Sequence, residues 1–485
     1  MTLNTIRRAF TLSAGAALLL SACAHTGQDA RAVLEQADQA MGGSNLKTLR
    51  YSGRGSGGTF GQAFLPEVAW PRVVYTSFSR DVDYANAAMR EEFVRTRAQP
   101  AGGGGLPPMG MGDQRAIGLL RGSSAWNLAG QTPSAAPLAV DGRIHDLWTT
   151  PHGVIKAALK NGGTVRTEDG KSLVSFTEPG RFRATVRISA AGLVERVDSV
   201  QPNPVLGDTK VVTLYSNYRD FGGIKFPGRI VQEQAGSNVL ELDVAEVVPN
   251  APVAIETPPS VPTFVERVTV EKAADGVWFL TGGSHNSVAI EMKDHLILVE
   301  SPLYDGRALA VFAEATKLVP GKPVRTVINS HHHFDHAGGL RTAVAEGATL
   351  IVSEYALNWY RRVLANPNSI SPDAMARSGR QPVLMPATAP LHRIEDATRT
   401  VEIHQLGDSF HAQAFMMVWL PRERLLVLAD EYTPGPPNAP RPAQINPNHH
   451  NLVRNIERLK LDVDRILPLH GRMVPVAELY TAVGR

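Results

Sequence analysis

The run His331-His332-His333-Phe334-Asp335-His336 packs four imidazoles and one carboxylate into six positions. With gaps it is His-x-His-x-Asp-His. Neutral imidazole nitrogen and carboxylate oxygen are the ligands a borderline cation such as Zn²⁺ takes. In extended chain His331 and His333 point the same way, so they can share one ion. Asp335 and His336 follow the turn and can reach a second ion beside it. His332 points away and reads as structural or solvated. The bland alternative is a polar loop, which suits one isolated histidine but not this density of ligands.

The elements around the run are legible. Val324-Arg325-Thr326-Val327-Ile328 precedes it, a β-branched apolar stretch that predicts a buried strand. Gly338-Gly339 follows it and predicts a tight turn into a helix. The cluster therefore sits in a loop at the end of a strand.

The motif resembles the signature of the metallo-β-lactamase superfamily, and further pieces in family order support it. His411 precedes Phe415-Met416-Met417-Val418-Trp419-Leu420-Pro421. Asp430 ends Leu425-Leu426-Val427-Leu428-Ala429. His470 precedes Gly471 near the C-terminus. Taken singly, Asp430 reads as a strand-end turn former and His470 as a loop residue, and His411 is evenly balanced between a plain and a functional histidine; their joint placement makes them functional candidates. The resemblance covers about residues 265–485 and implies an αββα sandwich.

It also implies roles. His331, His333 and His411 would hold one Zn²⁺, and Asp335, His336 and His470 a second. Asp430 would bridge both, giving two Zn²⁺ per chain. A hydroxide between the ions would be the nucleophile, because Zn²⁺ brings the pKa of bound water to about 7. Asp335 would orient that hydroxide as its catalytic carboxylate. Expected substrate contacts come from His285 and Asn286, after Gly282-Gly283, and from Tyr432 with the run Pro434 to Pro442. A phenol at Tyr432 could donate to an oxyanion. The plain reading of His285 is a turn residue capping a strand.

Departures from relatives narrow the chemistry. Many zinc β-lactamases carry Cys where this chain has Asp430, and Lys three residues on; here Glu431-Tyr432-Thr433 follows. Di-iron oxidoreductases of the superfamily carry Glu where this chain has His333. The full ligand set resembles that of thioesterases, lactonases and phosphodiesterases, so the expected reaction is hydrolysis of a small ester, lactone or amide. The alternatives are a β-lactamase, a mononuclear-iron persulfide dioxygenase-like oxidoreductase, or an envelope binding protein with a vestigial metal site.

The 485 residues are too long for one ordinary core and predict two domains. A formal net charge of +3 gives no broad basic surface, so nucleic acid is not expected as a partner. Residues 1–24 read as a targeting segment. Arg7-Arg8 is basic, Ala9 to Leu20 is apolar but short for a bilayer, and Leu20-Ser21-Ala22-Cys23 resembles a lipobox. Cys23 is the chain's one cysteine and has no disulfide partner. Lipidation there would anchor the protein to a membrane. Ala24 is not Asp, which favours the outer membrane, facing the periplasm. Simple cleavage after Ala24 is the competing reading.

Residues 25–248 predict an α+β domain built on an antiparallel sheet. A helix starts at Ala30 and stops at Gly42-Gly43; alternating strands then recur, as at 183–188 and 239–244. The sheet loosely resembles the half-barrel of lipoprotein-carrier domains. Ala98 to Gly112, with its run Gly102 to Gly105, reads as a mobile loop. Pro-rich 249–263 reads as a linker, and 264–485 as the metallo-β-lactamase-like domain. The fold class is thus α/β, an αββα sandwich preceded by an α+β antiparallel-sheet domain.

Overall fold

A computed structural model describes residues 29–100, 102–105, 112–437 and 444–485. Cys23 lies outside the described residues, as do Ala101, 106–111 and 438–443.

Thirteen strands between Thr48 and Pro249 form one antiparallel sheet. The first strand, Thr48–Gly58, pairs with the last, Ser237–Pro249, in register Leu49 to Pro249. The sheet then runs outward to Thr132–Ala135 at one edge and Thr164–Glu168 at the other. The helices Ala30–Ala40, Val140–Trp148 and Pro151–Asn161 share a core with it. Leu34, Met41, Leu147 and Ile155 meet Tyr51, Val186, Phe226 and Leu242 there. Alternation along the strands makes this possible: Phe182–Ile188 buries every second residue, namely Phe182, Ala184, Val186 and Ile188.

The C-terminal domain has two sheets face to face. One has seven strands from Thr269 to Ala387; the other has six from Leu391 to Pro475. Their facing sides, with residues such as Phe279, Ile328, Val418 and Val427, make one core. Helices cover the outside, with Asp305–Leu318 and Leu357–Ala365 on the first sheet and Pro447–Leu459 on the second. This is the αββα sandwich with its preceding antiparallel-sheet domain.

Residues 250–268 carry no regular strand or helix, but they are not a free tether. Ala251, Ile255 and Val261 are buried, the latter two against Ile117, Leu119 and Trp126, and Arg121 donates to the Ile255 carbonyl at 2.8 Å. Burial of apolar side chains fixes this proline-rich strap to the sheet.

Among the described residues the two domains meet chiefly through two sets of contacts, besides the ion pair of Glu67 with Arg362 at 2.7 Å. The turn Asn203–Gly207 docks on 366–369: Asn366 donates to the Leu206 carbonyl at 2.9 Å, and Asp208 N to the Pro367 carbonyl at 2.7 Å. Residues 60–64 and 102–104 lie against the metal-motif loop. Gly103 N donates to the Phe410 carbonyl, and Gln413 N to the Phe64 carbonyl, each at 3.0 Å. The glycine run is therefore held where it is described, contrary to the expectation of a mobile loop. Arg97 holds it, donating to the Gly104 carbonyl at 2.7 Å and to the Gly102 carbonyl at 2.9 Å. Clustered carbonyls facing one buried guanidinium recover part of the entropy lost on ordering glycine.

Candidate metal centre

The strand Val324–Ile328 delivers the chain to Asn329-Ser330, and a buried carboxylate fixes the histidine loop beyond them. Glu300, fully buried, accepts from Asn329 Nδ2 at 2.6 Å, Ser330 Oγ at 2.5 Å and His336 Nδ1 at 2.8 Å. Tyr360 donates to Asn329 Oδ1. One carboxylate thus ties both ends of the loop together, which defines its shape.

Gly338 and Gly339 do not take left-handed backbone; their φ angles are −66° and −99°. Their role is close approach. A Cβ on Gly338 would stand 1.9 Å from the Leu303 carbonyl oxygen, and one on Gly339 would stand 2.6 Å from that of Ser301. Only glycine lets the helix Phe334–Ala337 seat there.

Three groups of ligand atoms result. His331, His333 and His411 form one; His285, Asp335, His336 and His470 form a second; His331, His336 and Asp430 lie between. Asp430 Oδ2 is 2.8 Å from His336 Nε2, 3.6 Å from His411 Nε2 and 3.7 Å from His331 Nε2; Oδ1 is 3.4 Å from His470 Nε2. Every residue expected to hold an ion is in these groups, and His285 joins them. His285 Nε2 faces Asp335 Oδ2 at 3.1 Å, with Ser284 Oγ at its other nitrogen.

The outer hydrogen bonds fix the tautomers. The Ser330 hydroxyl donates to Glu300, so it accepts from His331 Nδ1, 3.0 Å away, and His331 Nε2 keeps its lone pair. His333 Nε2 donates to the Ala63 carbonyl at 2.8 Å, leaving a lone pair on Nδ1. His336 Nδ1 donates to Glu300, leaving one on Nε2. These lone pairs converge. His333 Nδ1 is 2.9 Å from His411 Nε2, which is 3.2 Å from His331 Nε2, and His336 Nε2 is 3.0 Å from His470 Nε2. Where two such nitrogens both carry a lone pair they repel unless a proton or a metal cation stands between them. Tetrahedral Zn²⁺ with Zn–N of about 2.0–2.1 Å has ligand edges of about 3.3 Å, close to this spacing. Asp430 Oδ2 is buried and has no hydrogen bond of proper geometry. The donor set fits a pair of borderline divalent cations.

The electrostatics agree. Burial holds His331, His333 and His411 below the usual imidazole value, in the neutral form a metal binds. Burial also opposes charge on His336, but Asp430 and Asp335 beside it raise it well above that value. Burial would raise Asp430, yet His411, His336 and His470 hold it well below the carboxylate range. Asp335 is lowered against burial by His336 and by its bond from His285. The centre calls for positive charge and supplies anionic oxygen.

The remaining expectations divide. Asn286 holds the His470 loop, donating to the Pro468 carbonyl at 2.9 Å and the Gly471 carbonyl at 2.7 Å; this is positioning, not substrate contact. Tyr432 is buried in the apolar core, its ring 5.0 Å from that of His449, and burial pushes its phenol up to about 12. His332 is buried rather than solvated; it donates to the Ala63 carbonyl at 2.8 Å and lies edge-on to Trp359.

Three contributors were not anticipated. Glu300 had a usable signal, an acidic residue ending the apolar strand Leu296–Val299. Gln62 and Ala63 had none. Gln62 Nε2 donates to Asp335 Oδ1 at 2.9 Å, and the Ala63 carbonyl accepts from two histidines.

Residues 280–362 match the family model described as metallo-beta-lactamase superfamily. No curated protein matches the chain. Among solved structures, the DIM-1 metallo-beta-lactamase is 15% identical with a TM-score of 0.35, covering 45% of this chain and 96% of its own. A metallo-beta-lactamase from Hirschia baltica is 19% identical with a TM-score of 0.34, covering 45% and 96%. FIM-1 from Pseudomonas aeruginosa, in a mono-zinc form, is 18% identical with a TM-score of 0.34, covering 45% and 95%.

Proposed function

We propose that the chain is a zinc-dependent hydrolase of a small ester, lactone or amide, a reading supported by the match of residues 280–362 to the metallo-beta-lactamase superfamily model. The observation that carries this is the convergence of five imidazoles around the Asp430 carboxylate, with the outer nitrogens of His331, His333 and His336 held by hydrogen bonds. Two bound zinc ions would supply Lewis acidity and an activated water at neutral pH. His331, His333 and His411 would hold one, Asp335, His336 and His470 the other, with Asp430 between them. His285 and Gln62 each hold one oxygen of Asp335, and His336, with the bond from His285, keeps that carboxylate ionised. Metal analysis of the purified chain, with assays on lactones, esters, thioesters and β-lactams, tests the reading. About two zinc ions and turnover of one class are expected. One iron per chain, with no hydrolysis, would replace it by the dioxygenase-like alternative.

We also propose that the protein is exported and anchored through Cys23 to the outer membrane, facing the periplasm. Leu20-Ser21-Ala22-Cys23 behind a basic and apolar stretch supports this. Cys23→Ser should move the protein from membrane to soluble fractions; a wild-type protein already wholly soluble would rule anchoring out.

A further inference from the structure

His411 is placed differently from the two histidines it meets. His331 and His333 are held at their outer nitrogens, by Ser330 and by the Ala63 carbonyl. Among the described residues, the polar contacts of the His411 ring lie at Nε2, towards those two histidines and Asp430. Its position therefore depends on its backbone, in the loop between the strands Thr400–Gln405 and Met416–Leu420, and on edge-on packing with Phe415.

That loop is tied at two points. Ser409 Oγ accepts from His411 N at 3.1 Å and from Ala412 N at 3.2 Å, a hydroxyl turn that fixes the peptide bearing the ligand. Two residues earlier, Gly407 is gripped by the helix Pro447–Leu459. Asn451 Nδ2 and Asn455 Nδ2 each donate to its carbonyl at 3.0 Å, and its N–H donates to Asn455 Oδ1 at 3.0 Å.

Both ties run to one residue. Glu431, fully buried, accepts from Asn451 Nδ2 at 2.7 Å on Oε1, and Ser409 Oγ stands 3.4 Å from Oε2. Ser409 accepts from two backbone amides, so its own hydrogen is the one that faces Glu431. Glu431 is the chain neighbour of Asp430. One carboxyl thus links the segment that carries Asp430 to the segment that carries His411, as Glu300 links the two ends of the histidine loop. Packing alone does not call for a carboxyl here. An aliphatic side chain would fill the space without the cost of desolvating polar oxygen.

We infer that Glu431, through Asn451 and Ser409, is the positioning residue of His411 and sets its distance from Asp430, 3.6 Å between Nε2 and Oδ2. The inference rests on the two-zinc reading above. Glu431 is not itself in the ligand groups. It acts on one of the two ions, that of His331, His333 and His411, by way of a single ligand.

Stepwise zinc affinities of the full chain, measured by competition with a chelator, test it. His411→Ala marks which of the two ions depends on that ligand. Glu431→Leu should weaken the same ion at least about 10-fold, the scale of losing an outer partner of a ligand, and leave the other within about threefold. Glu431→Gln keeps an oxygen for Asn451 and should stay within about threefold of wild type at both ions. If Glu431→Leu does not fold, Ser409→Ala, which removes the hydroxyl turn, is read in the same way. Equal weakening of both ions, as a general injury gives, overturns the inference, and so does a Glu431→Gln protein as damaged as Glu431→Leu. A wild-type chain that binds no zinc overturns the two-zinc reading and this role with it. Two ions held equally well by wild type and variants overturn this role alone.

Discussion

Gln62 Nε2 donates to Asp335 Oδ1 at 2.9 Å, joining a loop of the N-terminal sheet domain to a carboxylate of the candidate metal centre. The other Asp335 oxygen faces His285, so the carboxylate is held from both sides. The next residue, Ala63, orients His333 through its carbonyl. The centre is therefore assembled by both domains. Gln62→Leu should lower turnover about 10- to 100-fold, the scale of losing an outer partner of a ligand, while leaving thermal unfolding nearly unchanged. Steady-state kinetics and zinc retention on dialysis check this; turnover within twofold of wild type would leave the bond without a role.

Gly104 packs against the same contact. A Cβ there would stand 2.1 Å from Gln62 Oε1 and 2.8 Å from the His333 ring. Gly104→Ala should therefore displace one or both, weakening zinc binding about 10-fold or more, measured by competition with a chelator. Unaltered affinity would show that the segment yields without disturbing the ligand.

Asp430 and His332 separate ligand from scaffold. Asp430→Asn keeps the size but removes the anionic oxygen shared by His331, His336 and His411, and turnover should fall at least about 100-fold with loss of metal. His332→Ala removes a buried ring and one of two bonds to the Ala63 carbonyl. It should cost about 1–3 kcal/mol of stability yet keep full metal content and turnover within about tenfold. Equal metal loss in the two proteins would mean the ligand assignment is wrong.

Metal removal should destabilise the C-terminal domain, because the converging lone pairs are left without a cation. A chelator should lower its melting temperature, and zinc at 1,000 times Kd should restore about 4 kcal/mol per site. Calorimetry with and without zinc measures it; coincident traces would count against a cation at the centre.

A pH effect is expected far from the metal. His152 is buried, stacks on Phe226 and donates to the Met41 carbonyl at 3.2 Å; burial lowers its pKa to about 4. The unfolded ring titrates near 6.5. Between those values the unfolded state binds a proton that the native state refuses. The stability from the neutral ring is thus complete above about pH 6.5 and is lost as pH falls towards about 4, by roughly 3 kcal/mol in all. His152→Gln should remove that part of the acid sensitivity in denaturant titrations at pH 7 and pH 4. An unchanged pH slope would assign the sensitivity to other groups.

The sequence alone brought out the candidate ligand residues, because most of them end or follow a strand and carry a local signal. His331 to His336 sit after Val324–Ile328, Asp430 after Leu425–Leu428 and His470 after Arg465–Pro468. Apolar strands and their polar ends are short-range features, so spacing and pattern expose them. Tertiary structure alone decided the rest. It turned Tyr432 into the core, placed His285 against Asp335, strapped 250–268 onto the sheet and tied down Gly102–Gly105. It also set Gln62 against Asp335. These contacts join residues far apart in the chain through backbone carbonyls and close packing, and a carbonyl such as that of Ala63 leaves no mark on residue type.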